Sequence, residues 1–415
     1  MTPSPAEVRP KNLRIMLAHN WYRSANPSGE NRVVERESAA LTARGHEVIS
    51  FDRYSDDIAD WPPLRKASLP ARIIWNREAH QDLRARLRSE RPDVVHIHNT
   101  FPLLSPAVLY ACRNEFVPVV ITVHNYRLMC AAGNFFRDGA ICQDCVTGPA
   151  IQAVRHGCYR DSRLATVPIV VSNRTHRQAW RTMVSAYIFI SAAQRDLLAG
   201  LALPPDRVFV RHNMIPRRDV TVSDRDDAVL FAGRLEEAKG VRVLMSAWDR
   251  YLEAPRNPSL RLVIAGTGIL KPEVTAWAAR RPSVRLVGHV SAQECTDLMS
   301  RSRAVILPSA WAEPFGLVAV EAMAASTPCI AAAHGALPEL VTHGVDGTLV
   351  RAGDPQALAA AIADVQARPD TYASYGEAAR DSYEKRFDPQ ENLEQLIDIY
   401  RFAISRGSGA SLPDS

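Results

Sequence analysis

The chain has 415 residues, of which 47% are apolar and 23% charged, with 50 Lys and Arg against 45 Asp and Glu. That length exceeds one ordinary core and suits two domains. A formal charge of +5 accommodates a phosphate-bearing ligand or an anionic membrane surface, is too weak to argue for nucleic acid as a partner, and accompanies no apolar run long enough to span a membrane.

Met1 to Lys11 carries Pro, Ser and charge without the apolar stretch of a signal peptide, so a cytoplasmic protein is expected. Residues 12–216 then alternate apolar runs with helical patterns. Leu13–Ala18 predicts a strand, and the loop Asn26-Pro27-Ser28-Gly29-Glu30 follows it. A helix is predicted through Val33, Val34, Ser38 and Leu41, ended by Gly45. Glu47–Phe51, Asp93–His98 and Pro118–His124 predict further strands. Buried strands separated by helices imply a parallel sheet. His96 follows the buried rhythm of its strand and reads as structural, while His98 is a candidate for a cleft. His124 ends its strand, a place where a hydrogen-bonded structural histidine is commoner than a catalyst.

Four of the seven cysteines come next: Cys130, Cys142, Cys145 and Cys158. The two-residue gap between Cys142 and Cys145 is that of half a zinc knuckle. Four thiols in a reducing compartment suit structural zinc better than disulfides. The insertion 130–158 is therefore expected to hold a structural, non-catalytic zinc ion, with unpaired thiols or one disulfide as the alternative. Cys112, Cys295 and Cys329 stand among apolar neighbours and read as small core residues. Arg155, Arg160, Arg163, Arg174, Arg177 and Arg181 read first as a solvated helix face. Peripheral contact with a lipid-linked acceptor at the inner membrane face is the second reading.

A polar stretch from Pro216 to Asp227 separates a second βα cycle, residues 227–388. Its predicted strands are Ala228–Ala232, Leu260–Ala265, Val284–Val287, Ala304–Leu307 and Pro328–Ala332. Residues 389–405 predict a last helix that packs back on the first domain, and the Gly/Ser/Pro-rich tail after Gly407 is expected to be disordered. The fold class is thus α/β, with two doubly wound, Rossmann-like domains facing across a cleft. Ligands in such sheets bind at the carboxyl ends of the strands.

Chemistry concentrates in the second domain. Gly233, Arg234, Leu235, Lys239 and Gly240 follow its first strand. Gly233 permits a tight turn, and Arg234 and Lys239 would stand over the cleft, where Arg grips phosphate through paired N–H bonds and Lys adds a compact charge. Two solvated cations are the plainer reading. Gly266-Thr267-Gly268 reads mainly as a tight turn that touches the cleft, so that Gly266, like Gly233, is expected beside the bound donor. Glu313-Pro314-Phe315-Gly316-Leu317 predicts a helix start at Pro314, with the amides of Phe315, Gly316 and Leu317 turned toward an anion. Glu321 lies two turns into that helix among apolar neighbours. A buried carboxylate needs a partner, and ribose hydroxyls would supply one.

These residues carry a resemblance. The second domain is similar to the donor domain of the retaining GT-B glycosyltransferases of family 4, whose Gly-Arg-Leu…Lys-Gly and Glu-x7-Glu motifs stand here in full and in order. The likeness covers roughly Leu13 to Tyr400. It implies transfer of a sugar from a nucleoside-diphosphate sugar to a hydroxyl of a glycan, lipid-linked or small-molecule acceptor, with retention of configuration and no cofactor needed for catalysis. Arg234 and Lys239 would hold the pyrophosphate, Glu321 the ribose, and Glu313 the transferred sugar. Gly29 would approach the phosphates, His124 would face the reacting sugar, and the base would stack near His289 and Val290. Such transfer serves cell-surface polysaccharide, glycolipid or glycosylated-metabolite synthesis. A sugar-nucleotide epimerase of the same fold and a non-catalytic nucleotide-sugar-binding protein are the alternatives. Two positions depart from the family pattern: Ser28, where a glycine is frequent, and Ala336 in Gly335-Ala336-Leu337-Pro338-Glu339.

Overall fold

The computed structural model describes residues 12–24, 28–217, 225–254 and 257–408. The expectations for Met1–Lys11, Asn26 and Pro27, most of the 216–227 boundary and the tail beyond 408 lie outside these residues.

Two six-stranded parallel sheets form the molecule. The first contains β1 (Arg14–Trp21), β2 (Glu47–Tyr54), β3 (Val94–Asn99), β4 (Val119–Val123), β5 (Ala186–Phe189) and β6 (Val208–Val210), in the order β2-β1-β3-β4-β5-β6. The second contains β7 (Ala228–Ala232), β8 (Arg261–Ala265), β9 (Val284–Gly288), β10 (Ala304–Leu307), β11 (Cys329–Ala332) and β12 (Gly347–Val350), in the order β9-β8-β7-β10-β11-β12. Each order reverses once beside its first strand, and the crevice at such a reversal is where doubly wound sheets bind ligands. The central strands β3, β4, β7 and β10 are buried along their whole length. This is why they read as continuous apolar runs rather than alternating ones.

Helix α1 (Gly29–Ala43) begins at an extended Ser28, whose Oγ accepts from the Glu30 amide at 3.3 Å. The serine that departs from the family glycine thus supplies an N-cap. Helix α2 (Leu317–Ala324) begins three residues later than the sequence suggested. Gly316 holds φ at 107° immediately before it, a left-handed conformation that breaks the run from Pro314 and places Glu321 only about one turn in.

The last helix, α3 (Pro389–Ser408), leaves the second domain and lies on the first sheet. Leu393, Leu396, Ile397, Tyr400 and Ala403 pack with Ile15, Leu17, Val94, Val120 and Ile188 in one core cluster. Leu396 is fully buried there. Leu396→Ala should therefore lower the unfolding free energy by about 2–5 kcal/mol. A shifted urea midpoint at unchanged slope is the expected result, and a loss under about 1 kcal/mol would mean that the helix is not docked.

Candidate functional site

The carboxyl ends of both sheets face one crevice. On the second-domain side, the turn after β7 is drawn inward by glycines. The Gly233 amide donates to Ala265 O at 2.9 Å, and a Cβ on Gly266 would lie 1.8 Å from Gly233 O. The turn after β8 therefore stacks directly on the turn after β7. Gly240 closes the short 3-10 helix Glu237–Lys239 at φ 72°, where a Cβ would meet Pro308 O at 1.8 Å. This close approach carries Lys239 to the end of β10.

There its Nζ donates to both oxygens of Glu313, each at 2.9 Å, and lies 5.0 Å from the centre of the Trp311 ring. Ser309 Oγ and Trp311 Nε1 also donate to Glu313, at 3.0 and 2.9 Å. Burial alone would raise this carboxyl; the Lys239 charge and these three donors outweigh it and hold the pKa below the ordinary 4.5. The Glu313 backbone is locked too, since Ala336 N donates to its carbonyl at 2.9 Å and a Cβ on Gly335 would lie 2.5 Å from its amide. Arg234 is half exposed beside Lys239's turn and pairs with Glu236 at 2.9 Å.

Glu321 differs from the sequence reasoning. Its partner is protein: Arg36 of α1 donates to it at 2.9 Å and Arg32 stands at 3.5 Å, so no ribose is needed to account for its burial. The Phe315 ring is buried against His212 and Phe387, and its amide, the group expected to meet an anion, has no acceptor among the described residues. The amides of Gly316, Leu317 and Val318 have no acceptor among the described residues, as the first turn of a helix requires. Gly29 sits directly opposite, where an added Cβ would lie 2.7 Å from Leu317 Cδ1. Two helix starts thus meet across the crevice. His289 is exposed just past β9, and Val290 packs against the second-domain core.

On the first-domain side, His124 lines a cavity with His98, Asn99, Asn125, Arg127 and Asn173 among its polar walls. His96 lies deeper, bonded to Thr122 and Tyr400. Sequence reasoning missed Glu30. Its carboxyl accepts from Asn125 at 2.9 Å and Tyr22 at 3.1 Å, and its other oxygen is buried without a partner. Burial raises its pKa, although Arg127 and, from the other domain, Arg234 oppose the shift. A Glu placed directly after Gly29 at a helix start was the available signal.

Cys130, Cys142, Cys145 and Cys158 are all free and gather in one region of the 130–158 insertion. Burial, then the neighbouring Cys130, pushes the Cys145 thiol up to about 11, and burial likewise raises Cys158. Among the described residues, the trio of His, Cys, Asp or Glu ligand atoms lying within 4.8 Å of one another is Glu37, His96 and His98, so the thiols are spaced more widely than that. Cys295 is half-buried rather than a core residue, unlike Cys112 and Cys329. Arg155, Arg160, Arg163, Arg174 and Arg177 are exposed, and no helix among the described residues is long and apolar enough to cross a membrane.

Two Rossmann-like domains with their strand ends facing one crevice define the GT-B arrangement. Residues 27–218 match the family model for Glycosyltransferase Family 4, and residues 216–382 that for Glycosyl transferases group 1. The chain belongs to this family and is a glycosyltransferase. It is 28% identical to a glycogen synthase of Mycobacterium tuberculosis over 97% of both chains. It is 26% identical to a D-inositol 3-phosphate glycosyltransferase of Segniliparus rotundus, over 98% of this chain and 93% of that one. Its fold resembles sucrose-phosphate synthase from Thermosynechococcus elongatus (TM-score 0.69, 20% identity, 95% of this chain and all of that one). It also resembles Anabaena HepE in complex with UDP and glucose (TM-score 0.64, 18% identity, 93% and 99%).

The Glu313 arrangement has a pH signature. A carboxyl whose folded pKa lies below its unfolded value stabilises above the unfolded pKa, and that contribution disappears as pH falls through the folded one. Glu313→Gln should be less stable than the parent near neutral pH, and the gap should close as pH drops below about 4.5. Urea titrations of both proteins across that window check it; a gap independent of pH would rule out the ion pair as its source.

Proposed function

We propose that this glycosyltransferase moves a sugar from a nucleoside-diphosphate sugar to an acceptor hydroxyl with retention of configuration, in the assembly of a polysaccharide, glycolipid or glycosylated metabolite. The observation that carries the reading is the Lys239–Glu313 pair at the meeting of two helix starts. Expelling the diphosphate gathers negative charge on its oxygens. Lys239 has three N–H donors and its bonds to Glu313 leave donor capacity for a phosphate. Arg234 stands one short turn away with its guanidinium half exposed. The amides of Gly316, Leu317 and Val318 offer further fixed donors. Such groups need no reorganisation as the charge develops, which makes them worth more to the transition state than to the bound donor. Glu313, held ionised by its four bonds, would accept from hydroxyls of the transferred sugar. Glu321 keeps its place for the ribose only if that sugar shares the carboxylate with Arg36. The acceptor would enter along the His124 cavity. The UDP bound to HepE makes a uridine donor the first to try.

Removing one preorganised donor from such a site costs about 2.7–4 kcal/mol. Arg234→Ala and Lys239→Ala should each cut turnover by roughly a hundredfold or more while leaving the circular dichroism unchanged. Near-normal turnover in both purified variants would defeat the assignment. Thermal stabilisation by UDP-, GDP- and ADP-sugars identifies the base and the sugar, because a ligand bound to the folded state alone raises stability by mass action.

The four clustered thiols support a second, structural element of the proposal. Repulsion between neighbouring thiolates is part of what raises Cys145 and Cys158, and a zinc ion would replace it with attraction. Cys130, Cys142, Cys145 and Cys158 would hold that ion once their sulfurs draw closer together. Elemental analysis of freshly purified protein should find one zinc per chain, reduced by Cys142→Ser. Metal-free protein with all seven thiols titratable would remove the site.

A further inference from the structure

A buried polar chain runs from the C-terminal helix to the first-domain cavity beside His124. Arg211 donates through Nε to Asn392 O at 3.0 Å, through Nη2 to Asn392 Oδ1 at 2.6 Å, and through Nη1 to Glu37 Oε1 at 2.7 Å. Glu37, on α1, is fully buried, and its other oxygen, Oε2, has no hydrogen bond. That oxygen faces His98 Nε2 at 3.6 Å, and His98 Nε2 is also buried without a partner. On the far side of the same ring, His98 Nδ1 lies 3.0 Å from His124 Nε2, with the two rings 17° from parallel. His124 Nδ1 makes no hydrogen bond among the described residues, and the residue lines the first-domain cavity.

Glu37, His96 and His98 lie close enough for a metal site, but the chemistry is against one. Both nitrogens of His96 are occupied, Nδ1 by Tyr400 Oη and Nε2 by Thr122 Oγ1, each at 2.8 Å. Arg211 already neutralises the carboxylate. What the cluster can do is choose where protons sit. Burial lowers the pKa of His96, His98 and His124 well below 6.5, so each ring is neutral and carries one N–H.

From there the tautomers follow in sequence. An ionised carboxylate only accepts. A bare His98 Nε2 would set its lone pair against Glu37 Oε2, whereas a protonated one gives both orphaned atoms a partner after closing by a few tenths of an ångström. His98 therefore carries its proton on Nε2 and accepts at Nδ1. The His124 nitrogen facing it must then be the donor, which leaves His124 Nδ1 bare.

We infer that Glu37 and His98 are positioning residues that hold His124 as the Nε2–H tautomer and so present an unprotonated Nδ1 to the acceptor side of the crevice. There it accepts a hydrogen bond from a hydroxyl of the acceptor or of the transferred sugar. The consequence for turnover rests on the proposed place of His124 at the reacting sugar; the tautomer does not.

Long-range proton–nitrogen correlation spectra of the full chain labelled with 15N-histidine read this directly, with signals assigned from His98→Gln and His124→Gln. In the unaltered protein both rings should be Nε2–H with bare Nδ1, and an Nδ1–H form of His124 would overturn the inference without any variant having to fold. Glu37→Gln supplies the second readout. Its amide can donate to a bare His98 Nε2, which moves the His98 proton to Nδ1 and drives the His124 proton to Nδ1 as well. The expected result is a reversed His124 tautomer with kcat reduced about tenfold or more. A folded Glu37→Gln protein that keeps the original tautomer would overturn the relay. If the tautomers are as stated and His124→Gln retains full turnover, the relay stands and the assignment of His124 to the reacting sugar falls.

Discussion

Lys239 and Glu313 face each other at 2.9 Å with most of both side chains out of water. At that distance an effective dielectric of 20 gives an attraction of about 6 kcal/mol. Desolvating two such ions costs several kcal/mol each, so the pair contributes little net stability and its value is positional. It keeps an ammonium in a fixed place at the end of β10, and it keeps a carboxylate ionised although burial opposes that. Much of the local backbone serves this end. Gly240 lets the turn approach Pro308, Gly335 lets the next loop approach Glu313, and His334 Nε2 lies 2.6 Å from Ser309 O, behind the hydroxyl that donates to Glu313.

The same loop positions the domains. Tyr126 Oη donates to Ala312 O at 3.0 Å, and Ser191 Oγ donates to Pro314 O at 2.6 Å, so first-domain residues bind the backbone on either side of Glu313. Glu339, two residues after the start of the next helix, accepts from the Ala192 and Ala193 amides at the N-terminus of a first-domain helix. The pairing of Glu321 with Arg36 adds a further tie. Three of these four ties join a first-domain group to Glu321 or to a neighbour of Glu313. Groups proposed to bind the donor thus also hold the domains together, and on that proposal a ribose that takes Glu321 from Arg36 would alter both.

What could be read from the sequence follows from where each signal is local. Strands such as β3 and β10 are buried on both faces and announce themselves as apolar runs. β5, β6 and β12 went unassigned: Ala186–Phe189 follows a stretch read for its arginines, Val208–Val210 is only three residues long, and Gly347–Val350 is four residues beside a polar turn. Lys239 and Glu313 were legible as a motif, but not as partners of each other, because 74 residues separate them. The start of α2 was misjudged because Pro314 suits a first helical turn and nothing in the sequence shows that Gly316 adopts a positive φ. Glu37 could have been found. Val33, Val34, Glu37 and Leu41 share one face of α1, and a carboxylate on a core-facing stripe requires a buried partner. That partner, Arg211, is remote in sequence and invisible until the fold brings it in.

The C-terminal helix decides how far the two domains can be treated as separate bodies. It is covalently the end of the second domain, yet its apolar face completes the first-domain core. Its polar residues do the same for the buried chain behind His124: Asn392 grips Arg211 and Tyr400 occupies His96. A rotation of one domain against the other must leave α3 with the first domain, since moving it would strip Leu396 and Tyr400 from their core and leave Arg211 uncompensated. The chain passes between the two domains twice, once between β6 and β7 and once near Phe387 and Asp388. Tyr383 Oη donates to Ile215 O at 2.9 Å, and the His212 ring lies 5.1 Å from that of Phe387, tilted by 41°. The described residues beside the two crossings thus pack against each other. Every member of the histidine relay belongs to the body that α3 completes, so none of its bonds reaches into the second domain's sheet.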